Sequence, residues 1–200
     1  MSHLVETVKI KDGVFFNIDY HNERFNRSRK ELFGTGVPLD LRNSLVIPAY
    51  ALKGLFKCRV EYNDHIRNIE FLPYEIERIR TLRMVEAGDL EYNYKFINRE
   101  GINRLLEQKH ECDDILILKN GRVTDTSYAN IVVRGSDNIW YTPKTYLLAG
   151  TKRAYLLEKG IIREKEITPA GLRRFRELRL INTMIDLNDT TGIPIRSICF

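Results

Sequence analysis

Two hundred residues suffice for one or two domains with a proper core. Hydrophobic residues make up 43% and charged residues 30%, an ordinary balance for a soluble globular protein. The net charge of +5 is too small, and its basic clusters too interrupted by acids, for a nucleic-acid partner; it suits a small anionic substrate or cofactor. In chain order, Leu4–Ile10 and Val14–Ile18 read as strands joined by the turn Lys11-Asp12-Gly13. A helix follows, with Asp19 as N-cap, Phe25, Leu32 and Phe33 on its apolar stripe, and Gly34 and Gly36 at its end. Residues 40–54 read as helical with a kink at Pro48. Phe56–Tyr62 and Ile66–Leu72 alternate as a hairpin across Asn63-Asp64. Residues 75–83 fit strand and helix equally.

The pattern relaxes at Ala87-Gly88-Asp89. This predicts a linker between a small α/β domain over 1–86 and a larger domain over 87–200. A helix is expected near 99–110 and a strand at Asp114–Lys119. Asn120-Gly121 is a turn signal, and Ile131, Val132 and Val133 suit a strand. Asn138–Thr142 is a further strand. Gly150-Thr151 starts a helix that Gly160 ends, and Ile162–Ile167 is a strand. Thr168-Pro169 opens a short helix carrying Leu172 and Phe175. Leu178–Ile185 reads as a strand ending in Asn182-Thr183-Met184. Helices and strands mix in both halves, so the class is α+β (mixed α/β).

The cysteines Cys58, Cys112 and Cys199 are odd in number and lack a CxxC pair, which reads as reduced thiols in a cytoplasmic protein. The first residues lack a signal-peptide apolar region. SLVIPAYALKGLF, the most apolar stretch, is broken by Pro48 and Lys53 and falls short of the ~20 residues of a membrane span. The four histidines show no metal-ligand spacing. No GxSxG or P-loop pattern is present.

Several residues carry potential chemistry. Asp125 sits in NGRVTDTSYANIVV, a carboxylate among small hydroxyl residues between two apolar segments, where a cation can dock. Gly150-Thr151 offers amide N–H groups and a helix dipole to a phosphate, and Thr183 could add a hydroxyl. Lys95 lies between Tyr94 and Phe96; such an amine loses solvation, and its pKa falls toward the range where it attacks an aldehyde. Arg24 could clamp a phosphate. Each also has an ordinary structural reading: polar loop, helix start, surface lysine, solvated helix face. Lysine, carboxylate, phosphate cradle and arginine together are what pyridoxal phosphate needs.

Their order resembles the class IV aminotransferases, the fold-type IV pyridoxal-phosphate enzymes. ETVKIKDGVFFNIDYHNERFNRS is similar to the family's phosphate-arginine segment, YKFINR to its lysine segment and GRVTDTSYANIVV to its acidic segment. YTPKTYLLAGTKR and LRLINTMID resemble the last two cofactor segments. The resemblance implies a two-domain fold with a larger C-terminal pseudobarrel. It implies Lys95 as catalytic lysine and Asp125 as partner of the pyridine nitrogen. It gives Leu148 a place against the ring, and Arg24, Gly150, Thr151, Lys152, Asn182 and Thr183 places around the phosphate. The family's usual glutamate is Asp125 here, its usual Thr or Met is Lys152, and its usual first strand precedes the ET segment.

Lys95-Phe-Ile-Asn98-Arg99 and Asn182 are closer to the lyase branch, which includes 4-amino-4-deoxychorismate lyase of folate biosynthesis. The expected reaction is elimination to 4-aminobenzoate and pyruvate. Lys57 and Arg59, which share parity on one predicted strand, are candidate partners for substrate carboxylates, with Asn98 and Tyr128 nearby in the motifs. A solvated strand face explains Lys57 and Arg59 equally well. Two alternatives stand: an aminotransferase for D- or branched-chain amino acids, and a truncated, non-catalytic homologue that binds a ligand. The family resemblance also implies a homodimer, a small amino-acid-like carboxylate substrate, and neither metal, nucleic acid nor membrane as partner.

Overall fold

The structure is a computed structural model describing residues 3–200. The chain divides into two units, one formed by residues 1–76 and 94–98, the other by 77–93 and 99–200. Among the described residues no helix is long and apolar enough to cross a membrane.

The first unit is a four-stranded antiparallel sheet with a long helix. Strand β1 (Leu4–Lys11) turns tightly into β2 (Val14–Phe15). Asp12 and Gly13 both have positive φ, 49° and 75°, the geometry that suits a two-residue hairpin. Helix α1 (Ile18–Phe33) follows. Its cap is Asn17 in the left-handed region, with Asp19 one position inside the first turn rather than at the N-cap. Gly34 closes it with φ 68°, its N–H donating to Arg29 and Lys30 carbonyls. Strands β3 (Leu55–Tyr62) and β4 (Ile66–Pro73) form the expected hairpin, giving the order β2-β1-β3-β4. On β3 the alternation is clean: Phe56, Cys58, Val60 and Tyr62 are buried and meet Phe25 of α1 in one core.

The expected kinked helix over 40–54 is not there. Helix α2 (Leu41–Ser44) is a single turn capped by Asp40, and a separate 3-10 turn spans Ala49–Ala51. Pro48 precedes that turn in an extended conformation, ψ 154°. Its ring excludes the helical hydrogen bond and biases Ile47 away from the helical region, so two short turns replace one helix.

The second unit is built on a nine-stranded sheet. Its strands are β5 (Leu82–Glu86), β6 (Asp114–Lys119), β7 (Arg122–Thr126), β8 (Asn130–Arg134), β9 (Trp140–Pro143), β10 (Ile162–Lys165), β11 (Glu177–Ile181), β12 (Ile193–Pro194) and β13 (Ile198–Cys199). The path runs β10-β9-β8-β7-β6-β5-β13, and β11 pairs with both β8 and β12. The ambiguous 75–83 segment resolves late: β5 pairs in parallel with β6 from Leu82 onward. The 87–89 stretch therefore lies inside this unit, just beyond one of its strands. Helix α3 (Glu100–Leu106) continues into a 3-10 turn at Glu107–Lys109. Helices α4 (Thr151–Glu158) and α5 (Pro169–Leu172) lie where Gly150-Thr151 and Thr168-Pro169 place them. Leu116, Val123, Ile131, Val133, Leu178 and Leu180 form the middle of the core.

Candidate functional site

Three polar side chains meet inside the first unit. Glu6 lies on β1 with the parity of Leu4, Val8 and Ile10, which points it under α1 with the core. Its carboxylate is fully buried. It accepts from Arg24 Nε at 2.8 Å and Nη2 at 2.7 Å, and pairs with His21 Nδ1 at 2.6 Å. Burial pushes Glu6 up, but the Arg24 charge and the His21 and Arg24 hydrogen bonds outweigh it and hold the carboxyl at about 2. His21 is lowered, first by burial, against the pull of Glu6. An ionised Glu6 only accepts, so neutral His21 carries its proton on Nδ1. Arg24, the predicted phosphate arginine, is thus a buried guanidinium locked two-point by an acid. That lock commits two of its five N–H donors.

Lys95 belongs to the same unit. Residues 94–98 run beside the start of β1: Val5 N–H donates to the Lys95 carbonyl at 2.9 Å, and Ile97 N–H to that of His3 at 3.0 Å. Tyr94 and Phe96 flank Lys95 in the chain. They touch each other, 5.9 Å between ring centres, and pack on the unit's core. The charged neighbourhood of Lys95 instead includes His21, whose pKa its charge helps to lower. Lys57 and Arg59 share a face of β3, as their parity requires. Arg59 is paired with Glu61 and, at 3.4 Å, with Glu70, while Lys57 lies 5.7 Å from the Tyr74 ring centre. Two acids on the same face neutralise Arg59 locally. Asn98 is exposed.

Asp125 occupies the second unit. Asn120 and Gly121 turn with positive φ, 52° and 68°, and start β7. Thr126 closes the next turn: its N–H donates to the Ala129 carbonyl at 2.8 Å, and its hydroxyl accepts from Ala129 N–H at 3.2 Å. Asn130 is thereby set opposite Asp125 in register. The hydroxyl run is turn chemistry, and it delivers a buried acid. Asp125 Oδ1 accepts from Asn130 Nδ2 at 2.8 Å; Oδ2 accepts from Leu147 N–H at 2.9 Å and Leu148 N–H at 3.0 Å. Burial lifts its pKa to about 6, against these hydrogen bonds and the Arg153 charge. Among the described residues no cationic side chain touches it. A carboxylate accepts about four hydrogen bonds, and three are made here, so Oδ1 retains room for one more donor.

Gly150 lies against this acid's partner. A Cβ there would sit 1.9 Å from Asn130 Oδ1, and Asn130 Nδ2 also donates to the Leu148 carbonyl at 3.0 Å. Glycine is therefore required by close approach, and the start of α4 is coupled to Asp125 through one amide. Thr151 and Lys152 are buried. The Lys152 ammonium pairs with Asp186 and lies 5.3 Å from the Tyr155 ring centre. The Lys152 side chain is thus engaged within its own unit. Asn182 Oδ1 accepts from Met184 N–H at 2.8 Å and Ile185 N–H at 3.0 Å. Its side-chain oxygen is committed to the turn that presents Thr183, and β11 ends at Ile181 instead of running to 185. Tyr128 packs its ring on the core of this unit.

Glu6, His21 and Asn130 were not among the predicted site residues. Glu6 had a signal: a lone acid on the apolar parity of a strand. Among the described residues no group of three His, Cys, Asp or Glu could hold a metal ion.

A mixed α and β fold of two units, with a buried acid beside a glycine-led helix, is the architecture of the fold-type IV enzymes. The chain belongs to the amino-transferase class IV family, whose sequence profile matches residues 3–198. That family consists of enzymes dependent on pyridoxal phosphate. An uncharacterized protein of Haemophilus influenzae is 37% identical over 186 residues, 92% of this chain and 98% of that one. A crystal structure from Haemophilus somnus 129PT, provisionally named 4-amino-4-deoxychorismate lyase, matches with TM-score 0.87 and 36% identity. That match covers 94% of this chain and 98% of the other. A hypothetical aminotransferase of Mycobacterium tuberculosis in its PLP-bound form shares the fold, with TM-score 0.77 and 15% identity over 98% of this chain and 81% of that one.

Proposed function

We propose that this chain binds pyridoxal phosphate and cleaves 4-amino-4-deoxychorismate to 4-aminobenzoate and pyruvate, a step of folate biosynthesis. The observation that carries the cofactor reading is Asp125: a buried carboxylate, lifted to about 6, with no cationic side chain in contact among the described residues and room for one more donor. A protonated pyridine nitrogen supplies both the charge and the donor. Leu147, Leu148 and Asn130 hold this shorter acid at the end of β7. The proposed phosphate contacts are Arg24 in the first unit and, in the second, the amides of Gly150, Thr151 and Lys152 with Thr183; Leu148 is the proposed ring contact.

When bound, the cofactor supplies an electron sink for charge developing at the substrate's α-carbon. The chain's own groups do the rest. Lys95 Nζ would hold the cofactor and would serve as general base toward the substrate's α-proton. Asp125 would hold the proton at the ring nitrogen, whose positive charge would in turn favour the ionised acid. Glu6 holds Arg24 in place, so the phosphate clamp does not reorganise on binding. Asn182 shapes the turn carrying Thr183.

The lyase reading is supported by the Haemophilus somnus protein's provisional name at 36% identity and by the Lys95-Phe-Ile-Asn98-Arg99 run. Lys57, Asn98 and Tyr128 remain proposed substrate contacts; Arg59, neutralised by two acids, is the weakest of that set. Amino transfer to a keto acid is the second reading, favoured by the family itself. We further propose a cytoplasmic homodimer. Purified protein loaded with pyridoxal phosphate should release 4-aminobenzoate from aminodeoxychorismate. Amino transfer from D- or branched-chain amino acids without such release rejects the lyase in favour of the aminotransferase.

A further inference from the structure

We propose that Cys112 and Cys199 are a reversible thiol-modification site, a pair that closes to a disulfide and staples the last strand to the second unit. The two sulfurs lie 3.6 Å apart although 87 positions separate the residues in the chain. Cys199 is on β13, which pairs in parallel with β5 through only Ile198 and Cys199. Cys112 sits in the short connection between the Glu107–Lys109 turn and β6, the other neighbour of β5. The pair therefore bridges across β5, from one flanking element to the other. A disulfide needs the sulfurs about 2 Å apart. Side-chain rotation and the slack of a two-residue strand supply that approach. Neither cysteine has a role in the proposed cofactor site, so the reaction is independent of that reading.

Exposure assigns the roles. Cys199 is exposed and meets the oxidant; Cys112 is buried beneath it. Burial raises the Cys112 thiol, as does Cys199 beside it, while the Arg83 charge opposes. With a small soluble disulfide as oxidant, the Cys199 thiolate attacks one sulfur and expels a thiolate, giving a mixed disulfide. The Cys112 thiolate then attacks the Cys199 sulfur and expels the second thiolate. Two cysteine thiols are oxidised, one small disulfide is reduced to two thiols, and the protons pass between them through solvent. Closing so long a loop removes much unfolded-chain entropy, which makes the staple strongly stabilising.

The full chain is incubated with oxidised glutathione, alkylated and digested with trypsin. The expected product is peptide 110–119 joined to peptide 197–200, a loss of two hydrogens from the intact chain, and a Tm raised by roughly 5–15 °C. Dithiothreitol should reverse all three. Cys58, buried in the other unit and pushed up to about 12, should stay a thiol as an internal control. Cys112→Ser should accumulate the glutathione adduct on Cys199. Cys199→Ser, an exposed change near the chain end, should abolish both the linkage and the Tm shift. A stable glutathione adduct on Cys199 of the unsubstituted protein, a Cys199–Cys199 link between chains, or more than one alkylatable thiol per chain after oxidation would each overturn the proposal.

Discussion

Glu6→Gln tests the buried charge cluster. The carboxyl is fully buried, so solvent screening does not dilute its interactions, and its pKa stands at about 2 against an ordinary 4.5. That difference is worth about 3 kcal/mol at neutral pH. A depressed acid stabilises above its unfolded pKa and loses that contribution as pH falls through the folded one. The contribution is therefore complete by about pH 6, roughly halved at pH 3 and small below pH 2. Glutamine keeps one oxygen for Arg24 Nε but places an amide NH2 where Oε2 met two donors. His21 can shift its proton to Nε2 and accept from that NH2; Arg24 Nη2 has no such recourse. The expected loss at pH 7 is about 3 kcal/mol, or roughly 6–12 °C in Tm for a chain of this size. Thermal unfolding of both proteins from pH 7 to pH 3 measures it, and the gap should narrow as pH falls. Equal melting temperatures at pH 7, or a gap of constant size across that range, would refute the cluster's assigned ionisation.

Asp125 carries the opposite sign. An acid lifted to about 6 stabilises the cofactor-free fold below its ordinary 3.8 and loses that stability as pH rises through 6. Asp125→Asn should therefore gain on the parent by roughly 6–12 °C between pH 4 and pH 8, measured without cofactor; a pH-independent difference contradicts the shift. Gly150→Ala should push Asn130 off Asp125, cost about 1–3 kcal/mol and weaken pyridoxal-phosphate binding in a spectroscopic titration. Unchanged stability and affinity there would mean that Asn130 moves freely. Lys152→Met should change stability by less than about 1 kcal/mol, because Asp186 is half-exposed and rehydrates. It should leave cofactor affinity intact, and a large loss would show that the ammonium itself reaches the phosphate.

What the residues alone reveal divides along a physical line. Local signals were legible: Asp12-Gly13 and Asn120-Gly121 as turns, Gly34 as a helix stop, Thr168-Pro169 as a helix start. So were the turn and strands around Asp125, because they are contiguous. Contacts across distant segments were not. Glu6 and His21 are 15 positions apart and meet only when α1 packs on β1. Asn130 reads as an ordinary strand residue until Gly150 is brought against it. The helical reading of 40–54 failed because Pro48 and a one-turn cap at Asp40 outweigh apolar spacing. Strand β13 is two residues long, too short to leave a periodic trace, so the approach of Cys199 to Cys112 lies beyond sequence reasoning.

Borohydride reduction shows whether Lys95 is the residue that carries the cofactor. Protein loaded with pyridoxal phosphate is reduced, digested and mapped by mass spectrometry, with Lys95→Ala in parallel. The expected result is a phosphopyridoxyl adduct on Lys95, loss of the visible absorbance band on reduction, and neither signal in the variant. An adduct on another lysine, or protein that stays colourless with excess cofactor, would contradict it.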